Sequence, residues 1–135
     1  MRILLSVLLV TLLLLNCTSS EKERPTTALD TGREFIRASL DGNFDIAEGL
    51  LLKDSQNMQL FSSYKLFFDK MAVDKKRSYK SSSYTINKLL EVDDSTTLIN
   101  YSNSYMNQPL EIKVIHVDKD WQVDFKHTYS GNPPL

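Results

Sequence analysis

The sequence predicts an α+β domain in which three N-terminal helices come first and a four-stranded antiparallel meander then folds around them. Three observations carry this. Apolar residues recur at three- and four-residue spacing from Thr27 to about Val73, and at every second residue from Ser81 onward. The strand-like runs are joined by turns too short for a crossover helix, which excludes a parallel sheet. Six Phe, six Tyr and one Trp in a chain of 135 residues need a core, which excludes disorder for most of it.

The helices read as follows. Thr31-Gly32-Arg33-Glu34 matches a capping box, and Thr26 or Thr27 after Pro25 is an alternative start. Leu29, Phe35 or Ile36, and Leu40 form one apolar stripe. Asp41-Gly42-Asn43 ends it, with Gly42 suited to the left-handed position after a helix. A second helix is expected over Phe44 to Leu52, and a third over about Ser55 to Ala72 with a stripe wide enough for burial on more than half its circumference. Asp74 to Lys80 carries Lys75, Lys76, Arg77 and Lys80 against one acid. It reads as a solvated loop, with contact to anionic lipid as the functional alternative.

In the second half, Tyr84, Ile86, Leu90 and Val92 alternate with polar residues, Lys88 interrupting. Asp93-Asp94-Ser95 is a turn, followed by Ile99, Tyr101 and Tyr105. Met106 to Pro109 is a second turn; Leu110, Ile112 and Val114 then alternate, and Trp121, Val123 and Phe125 follow a tip at Lys119-Asp120. That tip sets His116 opposite Val123, Val114 opposite Phe125 and Ile112 opposite His127. Pairing Tyr105 with Leu110 sets Tyr101 opposite Val114. Tyr101, Asn103, Tyr105, Trp121, Phe125, His116, His127 and Lys88 then share the face toward the helices.

Composition excludes several functions. A formal charge of −1 gives no electrostatic footprint for nucleic acid. A single Cys allows neither an internal disulfide nor a Cys-rich zinc or redox site. Four Gly at 32, 42, 49 and 131 cannot build a phosphate loop. His116 and His127, the only histidines, stand about 13 Å apart in the expected register with Val114 and Phe125 between them, so no metal site is expected. Glu111, Asp118 and Asp124 point outward or sit at a turn, which leaves neither histidine an acidic partner for acid–base work. No catalytic residue and no cofactor are therefore assigned. Tyr101, Asn103, Tyr105, His116, Trp121, Phe125 and His127 are candidates for lining a pocket, since Tyr and Trp combine an apolar body with a polar tip.

Met1-Arg2 and the uncharged run Ile3 to Leu15 form a signal-peptide core, because thirteen helical residues reach only about 20 Å of a ~30 Å bilayer interior. Leu14-Leu15-Asn16-Cys17 resembles a bacterial lipobox, with Asn16 where Gly, Ala or Ser is usual. The resemblance implies cleavage before Cys17, a thiol that carries diacylglycerol with its fatty-acyl (palmitate-type) chains, and a membrane-anchored lipoprotein of the cell envelope, on its periplasmic face or the cell surface. Thr18 to Thr26 has no apolar residue and reads as a tether. The chain thus divides into a signal peptide (1–16), lipidated Cys and tether (17–26), folded domain (27–129) and tail (130–135).

Asp41-Gly42-Asn43-Phe44-Asp45-Ile46-Ala47 and the closing hairpin Ile115 to Asp124 resemble the helix junction and final strands of nuclear transport factor 2-like (cystatin-like, SnoaL-like) domains. The resemblance implies a curved sheet rolled into a cone, with a pocket between its concave face and the helices. It also implies homodimers through the convex face in some members. Enzymes of the dehydratase or isomerase type and non-catalytic binders share such domains, so fold does not supply function. The expected function is a membrane-tethered, non-catalytic module holding a small apolar ligand or a protein partner, with a dehydratase- or isomerase-type enzyme as the alternative.

Overall fold

The computed structural model describes residues 23–131, so the expected signal peptide and Cys17 lie outside the described residues. Among the described residues, four helices precede the sheet, rather than the expected three, and a fifth follows it. They are α1 (Ala28–Asp41), α2 (Phe44–Gly49), α3 (Ser55–Asp69), α4 (Val73–Lys80) and, after the sheet, α5 (Phe125–Gly131). The strands β1 (Tyr84–Asp93), β2 (Thr96–Asn103), β3 (Pro109–Val117) and β4 (Asp120–Asp124) pair in sequence order, all antiparallel.

Of the alternative starts for α1, Thr27 is the cap. Its Oγ1 accepts the Asp30 N–H at 3.1 Å and donates to the Asp30 carboxylate at 2.8 Å. Thr31 and Gly32 lie inside the helix and are buried. Gly32 is where α1 crosses the sheet: a Cβ there would stand 2.3 Å from Ile99 Cδ1. Gly42 ends the helix at φ 71°. Asn43 N–H donates to Ala38 O at 2.8 Å and Gly42 N–H to Ser39 O at 3.3 Å, the paired bonds of a Schellman motif.

Helix α2 is shorter than expected because Leu50 to Leu52 turn to pair with β4. Val123 N–H donates to Leu50 O at 2.8 Å and Leu52 N–H to Val123 O at 2.9 Å, which covers that edge of the sheet. Helix α3 stops at Asp69, three residues earlier than expected. The expected loop at Asp74 to Lys80 is helix α4. A run of charges gives no apolar period, and one aromatic residue holds the helix down: Tyr79 is buried, its hydroxyl 2.7 Å from that of Tyr64. The Arg37 guanidinium donates to Lys80 O and Ser82 O at 3.0 and 2.9 Å, satisfying carbonyls at the helix end.

The sheet keeps the expected inner face and shifts the register along it. The β3–β4 tip is Asp118-Lys119, with Asp118 at φ 56°, so His116 faces Trp121 and Val114 faces Val123. Tyr101 pairs with Leu110 rather than Val114, leaving Tyr105 in the loop. Both slips are even-numbered, and an even slip leaves every side chain on its own face. Strand β1 does change face. A bulge between Ile86 and Lys88 sets Leu89 opposite Ile99, and Lys88, expected inside, faces outward opposite Asn100. The last strand ends at Asp124, and Phe125, expected as a strand residue, opens α5.

Between sheet and helices runs a continuous aromatic core. Phe61, fully buried, lies 5.4 to 6.1 Å by ring centroid from Phe125, Tyr64, Phe44 and Phe35. The chain of rings continues through Phe68 and Tyr79 to Tyr105. Asn57, also fully buried, ties α3 to α5: its Nδ2 donates to Asp54 and Asp124, and its Oδ1 accepts the Lys126 N–H.

Asp54 caps α3 and holds the Lys126 ammonium at 2.6 Å. That hydrogen bond, then the Asn57 N–H, lowers the Asp54 pKa below the usual carboxylate range, and the same bond to Asp54 raises that of Lys126. A lowered carboxylate pKa stabilises the fold above the unfolded value, about 3.9, and that contribution is lost as pH falls through the folded one. The stability difference between wild type and Asp54→Asn, measured by urea unfolding, is therefore expected to shrink below about pH 4. A constant difference across that range would rule out the linkage.

Candidate functional site

Two spaces flank the inner face of the sheet, and they differ in size and chemistry. The first is the interior expected to form a pocket. It amounts to about 30 Å³, walled by Phe35, Tyr64, Tyr79, Tyr101, Phe125 and their neighbours. That is room for about one water molecule and far below the 300 Å³ or more of ordinary ligand sites. Its polar groups are hydroxyls: Ser39 Oγ and Thr128 Oγ1 are buried without a protein hydrogen-bond partner, and the Tyr64 hydroxyl meets that of Tyr79. Burial, then the neighbouring phenols, pushes the Tyr64 and Tyr101 pKa values well up, so both stay neutral and offer no phenolate base. Among the described residues, neither carboxylate nor imidazole lines this space.

The second space is an open groove of about 610 Å³ at the other end of the inner face, where the sheet extends past the start of α1. Thr26 to Leu29 form one wall, Leu89, Glu91, Asp93 and Asp94 of β1 and its turn the other, with Thr97 and Trp121 completing it. The bulge in β1 creates this wall, since it turns Leu89 and Glu91 toward the face that Ile99 and Thr97 occupy. The Asp93-Asp94-Ser95 turn is held by Ser95 N–H donating to Asp93 Oδ1 at 2.8 Å. Among the described residues, three carboxylates and no cation line the groove, beside the apolar surfaces of Leu29, Leu89 and Trp121. Its chemistry suits a partner bearing both positive charge and apolar surface.

The structure separates the seven sequence-derived pocket candidates. Tyr101 and Phe125 line the small interior cavity. Tyr105 packs edge-on against Tyr79 at 5.2 Å beside it. Asn103 is buried, its Oδ1 accepting the Tyr105 and Met106 N–H groups and shaping the β2–β3 loop. Trp121 belongs to the groove, and the exposed His116 ring leans on it at 4.9 Å. His127 stands apart on α5, its Nε2 2.8 Å from Glu111 Oε1. The expectation that neither histidine meets an acid is thus corrected for His127. Helix α5 turns its side chain toward the outward-facing Glu111, which no even slip of a strand could do.

Sequence reasoning missed Leu89, Glu91, Asp93, Asp94 and Thr97 as groove residues. The Glu91–Asp94 acidic run was visible, but the bulge that brings it to the inner face was not. Among the described residues, no three His, Cys, Asp or Glu side chains gather as metal ligands. Comparison of the chain with protein-family models, curated proteins and solved structures finds no match.

Proposed function

We propose that this chain is a membrane-tethered, non-catalytic interaction module, anchored in the cell envelope through lipid on Cys17, whose groove receives a basic, partly apolar segment of a protein partner. The observation that carries the reading is the contrast in volume: about 30 Å³ inside, filled by aromatic rings, against about 610 Å³ in the open, acid-rimmed groove. A dehydratase or isomerase needs a substrate-sized interior with an acid or base in it, and the interior has neither the room nor the group. The element order and the helix junction at Gly42 support a nuclear transport factor 2-like lineage with the cone filled in.

The tether reading rests on the run Ile3 to Leu15 ending at Cys17. Arg24 then pins the start of the domain, reaching Asp120 and Gly49 O. Cys17→Ser is expected to move the protein out of the membrane fraction. For the groove, a photocrosslinking side chain at Leu89, 42% exposed, is placed in the full chain in its own membrane. It is expected to capture a protein, and Glu91→Lys with Asp93→Lys is expected to cut capture several-fold. Capture unaffected by charge reversal would overturn the groove assignment. So would native mass spectrometry showing a small molecule retained equally by wild type and the double variant.

A further inference from the structure

We infer that the end of the domain opposite the groove, formed by the last turns of α3 and by α4, is a docking surface for an anionic lipid bilayer. Helix α3 turns Tyr64 and Phe68 inward, and on its other side Leu66 and Phe67 are 58% and 38% exposed. Val73, at the start of α4, is 73% exposed. A single exposed leucine needs no explanation; three large apolar side chains exposed within eight residues, where α3 gives way to α4, call for one.

The same stretch of chain carries an excess of positive charge. Lys70, Lys75, Lys76, Arg77 and Lys80 stand against Asp69 and Asp74 in a chain whose net charge is −1. Only part of this charge is spent within the protein: the Lys76 and Lys80 ammonium groups lie 5.1 and 5.9 Å from the Phe68 ring, and Arg77 meets Asp74 at 3.3 Å between largely exposed side chains. Exposed apolar side chains in one stretch with an excess of lysines match the boundary of an anionic membrane, where the first enter the acyl region and the second stay among headgroups. The protruding Leu66, Phe67 and Val73 favour lipid over a nucleic acid or acidic protein, which would use the charge and leave them in water.

The placement agrees with the tether. Phe68 and Lys80 lie beside Gly42, at the C-terminal end of α1, whereas the chain enters the domain at the N-terminal end beside the groove. Helix α1 is 14 residues long, about 21 Å. The seven steps from Cys17 to Arg24, where the chain is held to the domain, can span about 24 Å. An anchored chain is therefore long enough to let the basic end rest on the bilayer, which turns the groove outward. This orientation rests on the tethered reading; the lipid contact itself does not.

The test uses the full-length chain carrying Val73→Cys, labelled with an environment-sensitive dye and reconstituted into vesicles. In vesicles containing phosphatidylglycerol the emission is expected to shift to the blue and rise several-fold over that in pure phosphatidylcholine. High salt, Lys70→Glu with Lys75→Glu, or Leu66→Ser with Phe67→Ser should each reverse the rise with the circular dichroism unchanged. Equal emission in the two vesicle types overturns the proposal. So does a shift evoked by DNA or polyglutamate and not by vesicles, which assigns the patch to another polyanion. A second dye on Cys17, counted by mass, rejects the anchor alone, and the same comparison is then made with Cys17→Ser added.

Discussion

Phe61→Ala is expected to cost about 4 kcal/mol, a large share of the 5–15 kcal/mol that holds a domain of this size together. The ring is fully buried and touches four others, Phe35, Phe44, Tyr64 and Phe125, each supplied by a different stretch of chain. Its removal takes away both transfer free energy and edge-to-face contacts, and the surrounding helices cannot close the gap without leaving the sheet. Urea unfolding at neutral pH reads the loss directly; a change below about 1 kcal/mol would show that the core is looser than its geometry. The same variant tests whether the interior is filled. An apolar cavity the size of a ring stays dry and binds small aromatic molecules, so benzene should raise the melting temperature of Phe61→Ala and leave wild type unchanged. Equal stabilisation of both would mean that wild type already has a usable pocket, and the proposed function would lose its main support.

That filled interior was not legible in the sequence, although its members were. Alternation in β2 and β3 put Ile99, Tyr101, Ile112 and Val114 on one face, and parity survives any even slip, so the inner face was readable while the pairing partners were not. The β3–β4 tip moved back to Asp118, whose short polar side chain tolerates the left-handed backbone that a two-residue hairpin needs. Whether inward-facing Tyr and Phe rings line a cavity or occupy it depends on how closely the helices approach. Gly32 sets that distance: with no Cβ it lets α1 settle onto Ile99. Its sequence neighbours suggested only a capping box. Helices α4 and α5 were missed because each is short and held by a few scattered side chains rather than by a repeating stripe: Tyr79 and Arg37 secure the first, and Phe125, Asn57 and the His127–Glu111 contact the second. The groove was missed for a related reason. It joins the start of α1 to the end of β1 across some sixty residues, and the Asn87 bulge that aims Glu91 inward has no signature among the flanking Lys, Leu and Leu.

Asn57→Leu is expected to cost about 3 kcal/mol even though the side chain keeps its volume. Three hydrogen bonds meet on this buried amide: Nδ2 donates to Asp54 Oδ2 at 2.9 Å and to Asp124 Oδ1 at 3.2 Å, and Oδ1 accepts the Lys126 N–H at 2.8 Å. Leucine strands that N–H, a first-turn amide of α5 with no partner inside its own helix, and takes a donor from two carboxylates. Asn57→Asp is expected to be worse at neutral pH, because it sets a third carboxylate between Asp54 and Asp124 in a position closed to water. Like charges and burial both raise the pKa of a carboxyl placed there. The folded state then binds a proton more tightly than the unfolded chain, so stability must rise as pH falls. Between pH 7 and about pH 5, above the range in which Asp54 loses its own contribution, Asn57→Asp should therefore regain stability relative to Asn57→Leu. A parallel response of the two variants would place residue 57 in contact with solvent and dissolve the link between α3 and α5, because only a dry site with both acids still ionised separates them by pH.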